Sequence, residues 1–406
     1  MKVETDFIAM LGLLAKAAAG NDINIGQFNR ENVLRYADEQ SVLPLVCSQL
    51  PELAASGKIL RMAAKNISDL AYIRLIFNEL EKNGIKFAVL KGESVACLYQ
   101  NPDLRISGDV DILMDEADEA KALYVFEKYG YRHEERKPGE NENVLIHPMR
   151  KIVELHVALY DKTREDIFFG DTGNAAKPYI KVSSPNMGEF YALAPDDGIM
   201  FLYLHFIKHF LSSGAGVRQL LDIVMYSKRY KNEIDWQAFF EKIDKIHYKK
   251  MYSYILSAAV KYMGFEKSDF PDVEYDFEAA EKVLADLQYS GLFGKNEENL
   301  AQFKRVYEEK RNQKYGFVDY EDYSKKYTVP KIKILFPSAK VLRGRYKYLE
   351  KHRWLLPAAW VQRIVSAGLA VVLGRKDASR YTSINKIKTN QDIEQRIKLM
   401  EDIDML

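Results

Sequence analysis

The sequence predicts an α+β protein, with a small mixed β-sheet core flanked by largely helical N- and C-terminal regions. Three observations carry this. Between Gly84 and Leu159, short apolar runs and period-two alternation mark strands. On either side, apolar residues recur at three and four, the spacing of helices that bury one face. The 406 residues, 47% hydrophobic and 29% charged, suffice for a sizeable core and for two or three domains. The expected organisation is a helical region at 1–80, the sheet-bearing core at 81–185, a helical domain at 186–315 and a basic C-terminal region at 316–406.

The elements follow in chain order. Phe7–Ala18 carries helical spacing, and Asn29 is placed to cap the helix that contains Val33, Leu34 and Tyr36. A longer helix runs from about Leu60 to Leu80 and stops at Asn83-Gly84. Phe87-Ala88-Val89-Leu90 then reads as a buried strand, broken by Lys91-Gly92-Glu93-Ser94 and followed by a short helix. Asn101-Pro102-Asp103 is a turn. Asp109–Met114 is a strand, Glu116 to Lys128 a helix, and Asn143–His147 with Lys151–Leu159 a hairpin split by Pro148. From Asp196 onward, Ile199–Leu211, Val217–Tyr230 and stretches after Trp236 are again helical.

Composition excludes several classes. With 59 Lys+Arg against 58 Asp+Glu, the net charge of +1 gives no global attraction to nucleic acid. Two cysteines, Cys47 and Cys97, exclude a disulfide scaffold and a cysteine-rich zinc module. The first residues include Glu4 and Asp6, and the apolar run after them ends in no small-residue cleavage site. No signal peptide is read, and a cytoplasmic setting is expected.

The chemistry concentrates in the acids. On a strand, Asp109 and Asp111 share one face while Val110 and Ile112 share the other. Paired carboxylates repel unless a cation lies between them, and Mg²⁺ is the natural one. Glu154 and His156 alternate in the same way with Val153, Leu155 and Val157. Three carboxylates on neighbouring strands are what two-metal phosphoryl or nucleotidyl transfer needs. Lys91-Gly92, between a strand and a helix, offers backbone N–H groups to a phosphate. It is no P-loop, and Gly214-Ala215-Gly216 lacks the preceding strand of a dinucleotide fingerprint.

The series Phe87–Gly92, Arg105, Gly108–Leu113, Val153–His156, His205–His209, Arg218, Asp222 and Leu335–Ser338 resembles the uncharacterised nucleotidyltransferase family of the DNA polymerase β-like superfamily. The resemblance spans nearly the whole chain. It implies transfer of a nucleoside monophosphate from an NTP to an acceptor, with release of pyrophosphate and two Mg²⁺ ions. Asp109 and Asp111 would bind metal, and Glu154 would complete the metal site or activate the acceptor hydroxyl. Lys91, Gly92, Ser94, Arg105, His156, Lys208, Arg218 and Asp222 would serve the nucleotide.

His205, Lys208 and His209 share a helical face, as do Arg218 and Asp222. By analogy with toxin-type nucleotidyltransferases, Lys208 neutralises the triphosphate, while Arg218 clamps phosphate or pairs with Asp222. A helix–helix polar contact is the alternative for these residues. Zinc at His205 and His209 is set aside, because no His-Glu-x-x-His occurs.

Between Pro330 and Lys376, eleven basic residues face one acid, Glu350, for a formal +10 that leaves −9 on the remainder. Within it, Trp354–Leu373 is long enough to span a bilayer, but Pro357, Gln362 and Arg363 argue against spanning. Two readings stand: a basic helix on an anionic membrane surface or acidic partner, making the protein membrane-peripheral, or a core helix folded back on the body. Two further function classes stay open: a non-catalytic nucleotide-binding scaffold, and a membrane-proximal accessory protein of surface polysaccharide or peptide modification.

Overall fold

The computed structural model describes residues 2–133, 142–160, 179–212 and 214–290, short helical pieces between 303 and 362, and the chain from Ser383 onward. Met1–Leu300 with Asp402–Met405 form one compact unit, and Ala301–Glu401 with Leu406 a second. In the second, the longest described helix is Ser383–Asp402. Most of the basic block, the central part of Trp354–Leu373 and the Leu335–Ser338 motif lie outside the described residues. Among the described residues, no helix is long and apolar enough to cross a membrane.

The first unit opens with α1 (Thr5–Ala19), α2 (Arg30–Glu39), the short α3 (Leu43–Ser48) and α4 (Pro51–Ala54), and α5 (Gly57–Lys82). Asn29 does cap α2, its side chain accepting from the Asn32 N–H at 3.2 Å. The long helix ends where Asn83-Gly84 required, with Gly84 at φ 73°.

The sheet contains β1 (Phe87–Val89), β2 (Asp109–Met114), β3 (Arg132–His133), β4 (Glu142–Ile146), β5 (Ile152–His156), β6 (Tyr179–Ser184) and β7 (Gly188–Leu193). Between strands lie α6 (Glu93–Ala96) and α7 (Glu119–Lys128). The strand order is β3-β4-β5-β2-β1-β7-β6. β2 runs antiparallel to β1 and parallel to β5, β1 runs parallel to β7, and the two flanking hairpins are antiparallel. The mixed sheet and helical flanks are those the alternation predicted. The β6–β7 hairpin was not foreseen.

One face of the sheet is the core. Val110, Ile112, Val153, Leu155, Phe87 and Val89 pack there against Ile73, Phe77 and Leu80 of α5 and Val125 and Phe126 of α7. Phe77 and Phe87 meet at 4.6 Å between ring centroids, a contact worth about 1 kcal/mol beyond its area. Period two then sends Asp109, Asp111, Glu154 and His156 to the other face.

That other face meets α8 (Pro195–Ser212), which is followed by α9 (Val217–Arg229), α10 (Trp236–Lys245), α11 (Lys249–Tyr262) and α12 (Phe277–Ser290). Gly198 sets how closely α8 approaches α9, because a Cβ there would fall 2.1 Å from the Tyr226 hydroxyl. Close approach brings the polar residues of α8 and α9 onto the sheet's acidic face.

Candidate active site

The site forms where β1 ends and β2 begins. Gly92 leaves β1 at φ 72°, ψ −110°, a region open essentially to glycine alone. This turn delivers Lys91 to the acids on β2. Its Nζ lies 2.9 Å from Asp109 Oδ2 and 3.1 Å from Asp111 Oδ2, and 3.4 Å from His205 Nε2 on α8. Parallel pairing sets Asp111 directly opposite Glu154, and Leu113 opposite His156. His156 Nε2 then lies 3.2 Å from Asp111 Oδ1 and 3.9 Å from Glu154 Oε2.

Burial governs the electrostatics. It pushes Asp111 up to about 6, a rise that Lys91 opposes and Asp109 reinforces. Burial and the neighbouring Asp111 push Glu154 up to about 7. Asp109 feels the same burial, but the Lys91 ammonium outweighs it and holds its carboxyl below the usual range. Burial would lower Lys91, yet Asp111, Asp109 and Glu154 together hold it above the ordinary lysine value. Burial keeps His156 and His209 neutral, each down to about 4, and holds His205 well below the usual imidazole value.

Beside the acids lies a small pocket lined by Lys91, Gly92, Ser107, Asp109, His205, Arg218 and Gln219, with Arg105 and Asp222 in its wall. Its basic residues are held from below. Arg105 grips Asp222 bidentately, Nε to Oδ1 at 2.8 Å and Nη2 to Oδ2 at 2.5 Å. The Tyr99 hydroxyl donates to the same Oδ1 at 2.7 Å. Arg218 Nη1 donates to the Ile106 carbonyl at 2.5 Å. Arg105 Nη1 and Arg218 Nε are buried with no hydrogen-bond partner among the described residues.

Most of the residues singled out from sequence thus converge, with three differences. Helical spacing offered Arg218 as a partner of Asp222, but the ionic partner among the described residues is Arg105, which reaches in from the loop before β2. Ser94 is buried in α6, where its carbonyl accepts from the Cys97 thiol, and Ser107 lines the cavity instead. Lys208 is exposed on α8, so its charge acts on the site from a distance.

Three contributors were not foreseen. Lys151 is buried with its ammonium on the Ser107 carbonyl, and burial lowers it to about 8. Gln219 follows Arg218 into the cavity wall. Glu142 opposes His156 across β4–β5, with its carboxylate 3.5 Å from Nδ1. The alternation of 142–146 held the signal for Glu142, since the strand begins one residue before the Asn143 start read from sequence.

The side chains fit a cation. Asp111, Glu154 and His156 each offer a ligand atom within 4.8 Å of the others, and Asp111 Oδ2 is buried without a hydrogen-bond partner among the described residues. Lys91 supplies the positive charge between Asp109 and Asp111.

No curated protein matches the sequence significantly. Solved structures to which the chain shows some similarity include the antibiotic-resistance factor ANT(2'')-Ia, at 7% identity over 44% of this chain and 91% of that one, TM-score 0.34. Another is the lincomycin-bound lincosamide adenylyltransferase LnuA, at 16% identity over 38% and 94%, TM-score 0.28. A third is an antigenic nucleotidyltransferase-like protein from Paracoccidioides brasiliensis, at 16% identity over 50% and 97%, TM-score 0.30. The family model of the uncharacterised nucleotidyltransferases matches residues 26–264, more than half of the chain, and with the acids of β2 and β5 gathered inside that span the protein belongs to this family of transferases.

Proposed function

We propose that the protein transfers a nucleoside monophosphate from an NTP to an acceptor hydroxyl or similar nucleophile, in a reaction dependent on divalent metal. The acceptor oxygen bonds to the α-phosphorus, the α–β phosphoanhydride bond breaks, and pyrophosphate leaves. The observation that carries this is the register of Asp111 against Glu154, which gathers the third carboxylate onto the face that bears Asp109 and Lys91.

Asp109, Asp111 and Glu154 would hold Mg²⁺, two ions in this reading, which neutralise phosphate charge and orient the reacting oxygens. Alternatively Glu154, which burial raises to about 7 in the metal-free chain, would take the proton of the acceptor instead of binding metal. Lys91 and the Gly92 turn face the cavity as phosphate donors, with Arg105, Arg218 and Asp222 forming its wall. Lys208 adds long-range positive potential, and Ser107, in place of the buried Ser94, lines the nucleotide side. The setting is cytoplasmic, with the basic block at 330–376 as a contact for an anionic membrane or acidic partner.

Incubating the protein with each labelled NTP, Mg²⁺ and a cell extract tests the activity and reveals the acceptor. Label should pass to a discrete molecule, and Asp109→Asn should abolish the transfer. Turnover unchanged in Asp109→Asn would sink the assignment.

A further inference from the structure

His156 faces the acidic cluster as a ligand would. Antiparallel pairing sets Glu142 opposite His156 on one side, and parallel pairing sets Asp111 opposite Glu154 on the other. The imidazole is buried between them. Its Nδ1 is 3.5 Å from the Glu142 carboxylate, and its Nε2 points at Asp111 Oδ1 from 3.2 Å. Without metal, Nε2 is in hydrogen-bond geometry with Asp111 Oδ1; a cation entering between Asp111 and Glu154 takes the place of that Nε2 proton, and the ring's remaining proton is then held at Nδ1 by Glu142, as outer carboxylates hold ligating histidines. Two ligand atoms each about 2.1 Å from one ion, at right angles, are about 3.0 Å apart. The 3.2 Å separation between Asp111 Oδ1 and His156 Nε2 is close to that.

The two oxygens of Asp111 therefore face different surroundings. Oδ2 meets the Lys91 ammonium at 3.1 Å, outside hydrogen-bonding geometry. Oδ1 belongs to a pocket of two carboxylates and one imidazole, with all three ligand atoms within 4.8 Å of one another.

We propose that His156 is itself a metal ligand through Nε2, completing a cation position with Asp111 and Glu154, and that this position prefers a first-row transition ion such as Mn²⁺ over Mg²⁺. Mg²⁺ is a hard ion that favours oxygen and keeps its waters, whereas an imidazole ligand favours first-row transition ions, of which Mn²⁺ binds weakest and is therefore the stringent, spectroscopically visible case. The proposal rests on the metal-dependent reading above and adds the identity of one ligand and the selectivity that follows from it.

Mn²⁺ titrated into the full chain and followed by electron paramagnetic resonance, with Mg²⁺ as competitor, tests it. Mn²⁺ should bind more tightly than Mg²⁺, and pulsed spectra should show a ¹⁴N coupling. His156→Gln should lose the coupling and narrow the preference. The double variant His205→Asn with His209→Asn should keep both, which decides the matter even where His156→Gln does not fold. Bound Mn²⁺ without nitrogen coupling, equal affinity for the two ions, or coupling lost in the double variant overturns the role of His156 while leaving the metal-dependent reading intact. Failure of either ion to bind at millimolar concentration overturns that reading as well.

Discussion

The Lys91 ammonium lies 3.1 Å from Asp111 Oδ2, while the other oxygen of the same carboxylate meets His156 at 3.2 Å. One buried carboxylate is thus shared between a fixed positive charge and an imidazole. Lys91 supplies a single positive charge near three acids, Asp109, Asp111 and Glu154, each of which raises its pKa. Such a site carries excess negative charge, which favours a further cation.

Removing that ammonium should expose the imbalance. Lys91→Met leaves Asp109 and Asp111 facing each other without a counter-charge, and the loss of one partner of a buried pair costs about 3–5 kcal/mol. A divalent ion that binds only the folded chain recovers part of this by mass action. Thermal melts with and without millimolar Mg²⁺ are the check: the variant should melt lower, and its midpoint should rise more with Mg²⁺ than the parent's. An equal Mg²⁺ response in both chains contradicts the idea that a metal at these acids supplies charge that the ammonium otherwise provides.

The sequence made the local parts of this site readable. Asp109–Met114 and Val153–Val157 alternate strictly, so period two alone assigned their acids to one face and their aliphatics to the core. The caps at Asn29 and Asn83-Gly84 were equally local. What could not be read were pairings between distant segments. Arg105 and Asp222 are 117 positions apart, whereas Arg218 and Asp222 are one helical turn apart, and local spacing pointed to the nearer basic residue. The β6–β7 hairpin was missed for a related reason. Its Ser183, Ser184, Asn186 and Gly188 read as loop composition, and only pairing with β1 fixes β7 in the sheet.

The Arg105–Asp222 pair should be strongly coupled. Both side chains are buried, and Tyr99 closes the remaining side of the carboxylate. Arg105→Met and Asp222→Leu should each cost about 3–5 kcal/mol, and the double variant far less than their sum, since it leaves no uncompensated charge. Arg105→Lys should not rescue, because a point ammonium cannot reproduce the two-pronged grip. Urea unfolding of the four chains measures the coupling, and additive losses would contradict it.

Gly92→Ala isolates backbone strain from crowding. A Cβ at this position would meet the Ser107 hydroxyl at 3.7 Å and the Asp109 carbonyl at 3.8 Å, both ordinary contacts. The φ of 72° with ψ −110° is what an alanine resists. The expected cost is about 1–3 kcal/mol, with NTP binding weakened because Lys91 is the adjacent residue. Calorimetric melts and nucleotide titration check the two effects. A variant as stable as the parent would show that the turn relaxes without loss.

Lys151 should leave its mark on the pH dependence of stability. The side chain is 6% exposed, and burial lowers its pKa from 10.5 to about 8, with Asp69 opposing and Arg105 and Arg218 adding to the fall. Between those two values the folded chain holds fewer protons at this site than the unfolded chain. Stability must therefore rise with pH across the window, and the buried charge is a cost below about pH 8. The full effect is about 3 kcal/mol. Lys151→Met removes the titration, so the parent should gain on the variant by roughly that amount between pH 7.5 and 10.5 in urea unfolding. Loss of the bond to the Ser107 carbonyl lowers the variant by an amount independent of pH, so it offsets the two curves without changing their relative slope. A constant difference across the window would mean that Lys151 is charged in the folded chain and solvated. In that case Ser107, which lines the cavity beside Gly92, would not be held by a buried amine.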